Sequence, residues 1–144
     1  MFGSLFLVAD QPVRGIATSG WRGRSFSLGI ADAVTVLAPN AAMADAAATM
    51  IANAVNVDHP LVERRSAHAL RDDSDLGALP VTVSVGVLPI FAIREALSRG
   101  ARHAHDLRRR GLIQAAFLSL QGEHETVGGE TMIETEQKKV MGQA

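Results

Sequence analysis

The hydrophobic positions of the chain follow two different periods, which predicts strands mixed with helices. Short apolar runs, several rich in β-branched residues, predict strands at Leu5–Ala9, Ala33–Leu37 and Val81–Leu88. A further strand is expected at Leu112–Leu120, after a Gly that ends the preceding segment. The stretch Gly15–Gly20 is bounded by glycines and is predicted to be a loop.

Three helices are expected. The clearest is Ala41–Asn56, an Ala-rich segment that Asn40 can cap at its N-terminus. Its apolar residues recur at spacings of three and four, and they are Met43, Ala47, Met50, Ile51, Ala54 and Val55. The second helix is expected over about Leu61–Asp72 and the third over Ala92–Arg110, which Gly111 would end.

The order strand, strand, helix, helix, strand, helix, strand predicts a mixed α/β arrangement of the α+β class. We expect residues 1–122 to form one domain and the polar residues 123–144 to form a loose tail. The uncharged run Leu76–Ile93 approaches the length of a membrane span, but its Gly and Pro residues and its alternating centre favour a buried strand. We therefore expect no membrane partner.

Composition narrows the class of protein. The chain has 144 residues, 47% of them hydrophobic, and its 14 Lys plus Arg nearly balance 15 Asp plus Glu. These values are typical of a globular domain, and the absence of a basic excess argues against nucleic acid as a partner. The chain has no Cys, which excludes disulfide scaffolds and thiolate chemistry and fits a cytoplasmic protein.

The helix predicted at Ala41–Asn56 carries a row of polar side chains. Asp45, Thr49 and Asn53 are four residues apart, so they lie along one edge of that helix. A carboxylate and a hydroxyl at this spacing can hold Mg²⁺, with phosphate oxygens filling the other coordination positions. The alternative is a narrow solvated face on an otherwise apolar helix.

The Gly-rich segment offers a second set of candidates. Gly20 exposes backbone N–H groups, Thr18 and Ser19 add hydroxyls, and Arg22 adds a positive charge. Together they could cradle a pyrophosphate, although the segment matches neither of the two common Gly-rich phosphate motifs. The alternative is a sharp turn that leads into the next strand.

Asp32 stands between two Ala residues at the entry to the strand Ala33–Leu37. An isolated carboxylate in such an apolar setting could be a ligand or a general base. It could equally be the acceptor of a cap or turn.

The stretches GIATSG, ADAVTVLAP and ADAAAT occur in this order and resemble the ApbE-like superfamily, which includes the FAD:protein FMN transferases. The turn Ser74–Gly77 and the ending Arg109–Gly122 resemble its UPF0280 branch more closely. The resemblance covers roughly Gly15–Gly122 and implies the C-terminal part of an ApbE-like sheet packed with helices. Because such proteins usually extend further at the N-terminus, it also implies a truncated member or a half that a homo-oligomer or partner chain completes.

For the transferases, the resemblance implies binding of FAD with Mg²⁺ and transfer of FMN to a threonine of a flavoprotein. Their motif Ala-Asp-Ala-Leu-Ala-Thr matches Ala44–Thr49, with Ala47 in place of Leu. That match assigns Asp45 and Thr49 to the metal. Their Thr-Ser-Gly matches Thr18–Gly20, near the flavin.

The transferase signature His-x-x-Asp-Pro-x-x-Gly is missing from the corresponding stretch RSFSLGIADAV. The resemblance therefore does not give Asp32 the role of the signature aspartate, and this residue stays a candidate base on its position alone. Three functions remain open: a Mg²⁺-dependent flavin transferase or pyrophosphate-cleaving enzyme, a non-catalytic domain that binds a flavin or nucleotide, and an interaction domain that needs a second copy or a partner.

Overall fold

The computed structural model describes residues 13–23, 27–70 and 77–128. Within these ranges the strands are β1 Gly15–Ser19, β2 Ala33–Ala38, β3 Val62–Ser66, β4 Pro80–Val85, β5 Ala115–Leu120 and β6 Glu123–Val127. The helices are α1 Ala41–Ala54, α2 Ala67–Leu70 and α3 Ile90–Arg109. This confirms the predicted α+β class.

The main sheet has four antiparallel strands in the order β1-β2-β5-β6. Gly15 pairs with Ala38 across β1 and β2, and Ala33 pairs with Ser119 across β2 and β5. Helix α1 packs on β1 and β2, whereas α3 packs on β5 and β6 and also contacts α1. Strands β3 and β4 form a separate antiparallel pair.

The core lies between the sheet and its two long helices. Alternate residues of β2 and β5 are fully buried there, among them Val34, Val36 and Leu118. The opposite face of the sheet carries a smaller buried cluster of Val13, Leu37, Ala115 and Phe117. Among the residues that the structure describes, no helix has the length and apolar character needed to cross a membrane.

Several predicted elements are confirmed with shifted ends. Asn40 caps α1, because its Oδ1 accepts a hydrogen bond of 2.8 Å from Met43 N. Helix α1 ends at Ala54, two residues earlier than predicted, and its buried residues are Ala44, Ala47, Ala48, Ile51 and Ala52. Met50, assigned to the apolar stripe, is exposed. Helix α3 ends before Gly111, whose φ of 74° is typical of the residue after a helix.

Two predictions were wrong. The stretch predicted as a loop, Gly15–Gly20, is mostly strand β1, because Gly15–Ser19 pair residue by residue with β2. The second predicted helix, Leu61–Asp72, contains strand β3 followed by the four-residue α2. Hydrogen-bonded pairing with β4 outweighs the preference of this charged segment for a helix. The burial of the β3 residues alternates with the period of a strand.

The polar segment after Gly122 also differs from the prediction. Its first residues, Glu123–Val127, form the edge strand β6 and pair with β5. Residues 129–144 lie outside the described ranges, as do the predicted strand Leu5–Ala9 and the turn residues 74–76. The strand predicted to end at Leu88 ends at Val85, and the one predicted to begin at Leu112 begins at Ala115.

Candidate functional site

A cavity of about 400 Å³ lies where the end of β1, the entry to β2 and one edge of α1 meet. The seven residues for which the sequence predicts a catalytic, binding or metal role line it, and they are Thr18, Ser19, Gly20, Arg22, Asp32, Asp45 and Thr49. Of the other described residues, Gly23, Ser27 and Asn53 also line it. The fold therefore brings the Gly-rich segment and the polar row of α1 to one place.

The topology explains this convergence. Strands β1 and β2 are antiparallel, so the C-terminal end of β1 lies beside the residues that precede β2. The chain then reverses at Pro39 and Asn40, and α1 runs back over both strands. Its C-terminal end reaches the segment before β2, where Ile30 N donates to Val55 O at 2.8 Å.

The polar row on α1 lies beside the face that the helix buries. Asp45 and Thr49 are both exposed and both line the cavity. Within the described ranges, no hydrogen bond or ion pair engages either side chain, and no group of three or more His, Asp or Glu could hold a metal ion. A cation bound here would therefore draw its remaining ligands from water or from a bound molecule.

The position of Asp32 is compatible with both roles considered for it, the acceptor of a turn and a ligand or base at the cavity. Its Oδ2 accepts a hydrogen bond of 2.8 Å from Gln121 N, in the turn between β5 and β6, and its own N donates to Ser119 O. The Gln121 side chain in turn donates to Gly86 O and accepts from Leu88 N. The carboxylate is thus a turn acceptor, and it also lines the cavity.

The hydroxyl of Thr18 is hydrogen-bonded to a neighbouring strand of the sheet. Along β1, Ala17 packs against the core, so the side chain of Thr18 lies on the other face of the sheet. There its hydroxyl forms a hydrogen bond of 2.9 Å with the hydroxyl of Thr35. The hydroxyl expected from the sequence to serve a ligand therefore has a partner within the sheet.

Gly20 begins a tight turn at the cavity. Gly23 N donates to Gly20 O at 3.2 Å, and Trp21 N donates to Ala31 O at 3.0 Å. A Cβ on Gly20 would lie 2.4 Å from Asp32 O, so any larger residue would push the turn away from β2. The turn presents the exposed Arg22, whose guanidinium lies 5.0 Å from the centroid of the Trp21 ring.

Sequence reasoning missed Ser27 and gave no ligand role to Asn53. Asn53 Oδ1 accepts hydrogen bonds from Ser27 Oγ at 3.3 Å and from Leu28 N at 3.1 Å. Ser27 is buried, and its O accepts from Thr82 N, 55 residues further along the chain. No local pattern around Ser27 signals these two contacts, since Asn53 and Thr82 are both distant from it in sequence.

Comparison with known proteins finds a matching family model and similar proteins. A family model described as AbpE bacteria matches residues 1–126. A UPF0280 protein of Methanopyrus kandleri is 47% identical over 64 residues, which cover 44% of this chain and 27% of that protein. Another, from Methanoculleus marisnigri, is 41% identical over 82 residues, or 56% of this chain and 28% of the relative. The chain thus spans less than a third of these relatives, and no solved structure matches it.

Proposed function

Because this chain belongs to the family described as AbpE bacteria and is similar to UPF0280 proteins, we propose that it binds a flavin or another dinucleotide together with Mg²⁺ in the cavity between β1, β2 and α1. The observation that carries this proposal is that seven residues chosen from the sequence line a single cavity. Its volume of about 400 Å³ falls within the range of small-molecule sites, about 300–1,000 Å³.

Asp45 and Thr49 are the residues that would hold the cation. Mg²⁺ prefers oxygen ligands and usually takes one or two protein carboxylates, with water and phosphate oxygens in the other positions. The donor set fits this preference, because two unpartnered oxygen-bearing side chains face the same cavity in the described part of the chain. When bound, Mg²⁺ neutralises phosphate charge and polarises the phosphorus–oxygen bonds.

The charges around the cavity make binding depend on the cation. Of the described lining residues, Asp32 and Asp45 carry carboxylates and Arg22 carries a guanidinium. Without a cation, a pyrophosphate would meet the two carboxylates, and their repulsion would oppose its binding. Arg22 would attract the phosphates, and the backbone of the turn from Gly20 to Gly23 would border them.

The test is a titration of the purified protein with FAD, FMN and ADP, each with Mg²⁺ and with a chelator. Trp21 is the only Trp of the chain and stacks with Arg22, so its fluorescence reports events at the cavity. We expect binding with Mg²⁺ and a loss of about 10–100-fold in affinity for Asp45→Asn, the effect of removing one charged contact. The matched control is Asp58→Asn, an exposed Asp outside the cavity lining. Failure of all three ligands to bind in Mg²⁺ would refute the proposal.

Chemistry on the bound ligand is a second candidate, favoured by the position of Asp32. Gln121 N holds Oδ2, and Oδ1 accepts no hydrogen bond from the described residues. Oδ1 could take the proton of a threonine hydroxyl or a water whose oxygen attacks the flavin-side phosphorus of FAD. The bond to the bridging oxygen would break, and AMP would leave with that oxygen.

Chromatography of a mixture of protein, FAD and Mg²⁺ separates this candidate from binding alone. Release of AMP that Asp32→Asn abolishes supports catalysis with Asp32 as the base. Tight binding of intact FAD without any product supports a non-catalytic binding domain, which agrees with the missing His-x-x-Asp-Pro-x-x-Gly signature.

A further inference from the structure

Asn53 is the third member of the polar row on α1 and lines the cavity one helical turn beyond Thr49. We propose that Asn53 is a hydrogen-bond donor to a phosphate oxygen of the bound molecule and is not a ligand of the cation. This inference rests on the proposed function, because it assigns a role within the same cavity.

The orientation of the Asn53 amide follows from its partners. Leu28 N lies 3.1 Å from the amide, and a backbone N–H can only donate, so the atom that faces it must be Oδ1. Ser27 Oγ accepts a hydrogen bond from Gly29 N at 3.1 Å, which leaves its own proton to donate to the same Oδ1. Both contacts place the oxygen toward the loop, and Nδ2 is the other end of the amide.

The loop that orients Asn53 is anchored at several points. Thr82 N donates to Ser27 O at 2.9 Å, and Thr82 Oγ1 donates to Gly29 O at 2.6 Å. The hydrogen bond from Ile30 N to Val55 O ties the same loop to the end of α1. Because these bonds hold the loop to β4 and to α1, the amide is oriented before any molecule binds.

This orientation decides what Asn53 can contact. A carbonyl oxygen accepts about two hydrogen bonds, and Oδ1 already accepts two, so it has no capacity left for a cation. Nδ2 is a donor only, and within the described ranges it has no acceptor. In the proposed site, a cation held by Asp45 and Thr49 would bring phosphate oxygens to this edge of α1. A phosphate oxygen is therefore the acceptor that we assign to Nδ2.

Asn53→Asp tests the role with the least change of shape. The variant keeps an oxygen for Ser27 and Leu28 but replaces the donor with a second carboxylate oxygen. With inorganic pyrophosphate as the probe and Mg²⁺ present, we expect calorimetry to show a 10–100-fold loss of affinity. Titration with Mg²⁺ alone should show unchanged or tighter binding. Asn40→Asp is the matched control, because it makes the same charge change on the same helix and Asp remains a good N-cap.

The outcomes separate this inference from the proposed function. If the parent protein binds neither pyrophosphate nor FAD with Mg²⁺, both fall. If the parent binds and Asn53→Asp binds pyrophosphate equally well, only the role of Asn53 is refuted.

A measurement on the parent protein does not depend on how the variant folds. In NMR spectra, the side-chain amide hydrogens of Asn53 should shift when Mg²⁺ and pyrophosphate are added, while those of Asn40 stay in place. Bound pyrophosphate without a shift at Asn53 would overturn the inference.

Discussion

Gly29 packs so closely against the end of α1 that replacing it with Ala should destabilise the protein. A Cβ at this position would lie 2.0 Å from Ala52 O and 2.8 Å from Val55 O, whereas ordinary contact begins at 3.4 Å. Both obstacles are backbone atoms, so no side chain can rotate away. The loop must therefore move by more than about 1 Å, which would break the 2.8 Å hydrogen bond from Ile30 N to Val55 O.

The size of the effect follows from these contacts. Overpacking costs about 1–3 kcal/mol, and each lost backbone hydrogen bond about 0.5–1.5 kcal/mol, or more where a buried group is left unpaired. The lower chain entropy of unfolded Ala offsets about 0.4–1 kcal/mol of this. The lost hydrogen bond is buried and lies at the upper end of its range, so we expect a net loss of about 1–4 kcal/mol in the free energy of unfolding, or about 3–12 °C in Tm for a chain of this size.

Urea unfolding followed by circular dichroism measures this loss, and thermal melting gives Tm. Gly86→Ala is the control, because a Cβ there would meet only side-chain atoms of the exposed Leu61, at 3.2 Å and beyond. The control should unfold close to the parent. The reasoning is refuted if Gly29→Ala lies within about 0.5 kcal/mol of the parent, the usual range of neutral surface changes.

Three further predictions follow from single contacts. Asn40→Ala removes the N-cap of α1 and should lower the free energy of unfolding by about 0.5–2 kcal/mol; urea midpoints equal to those of the parent and of Asn40→Asp would contradict this. Phe117→Ala should cost about 3–5 kcal/mol in the same assay, because the ring is 1% exposed; a loss below 1 kcal/mol would show that the smaller cluster contributes little. Asp32→Asn keeps an oxygen to accept from Gln121 N, so its Tm should stay within about 2 °C of the parent, while any release of AMP from FAD should stop. A large drop in Tm would mean that the charge of Asp32 is needed for the turn.

Residue spacing alone predicted only those parts of the candidate site whose residues are close together in the sequence. Asp45 and Thr49 are four residues apart on an unmistakably helical segment, so their shared edge follows from the helical repeat. Their meeting with the turn at Gly20 is not local and was implied only by the resemblance to the transferases, and the structure places both at one cavity. Ser27 joins the lining because Thr82 holds its loop from another sheet, and no spacing in the sequence records that contact.

By itself, the sequence determined the elements that are stabilised by contacts between residues close together along the chain. Helices α1 and α3 and the cap at Asn40 belong to this group, because a helical hydrogen bond joins residues four apart and a cap joins residues two or three apart. The apolar strand β2 was also recognisable from its β-branched residues.

Only the tertiary structure decided that the segments β1 and β3 are strands. Each takes its hydrogen bonds from a strand remote in sequence, since Gly15 pairs with Ala38 and Val62 pairs with Val85. The direction of the Asn53 amide was decided in the same way, by a loop held between α1 and β4. A strand or a side chain whose partners are remote in sequence has no local period of its own, so its conformation is settled only when the chain has folded.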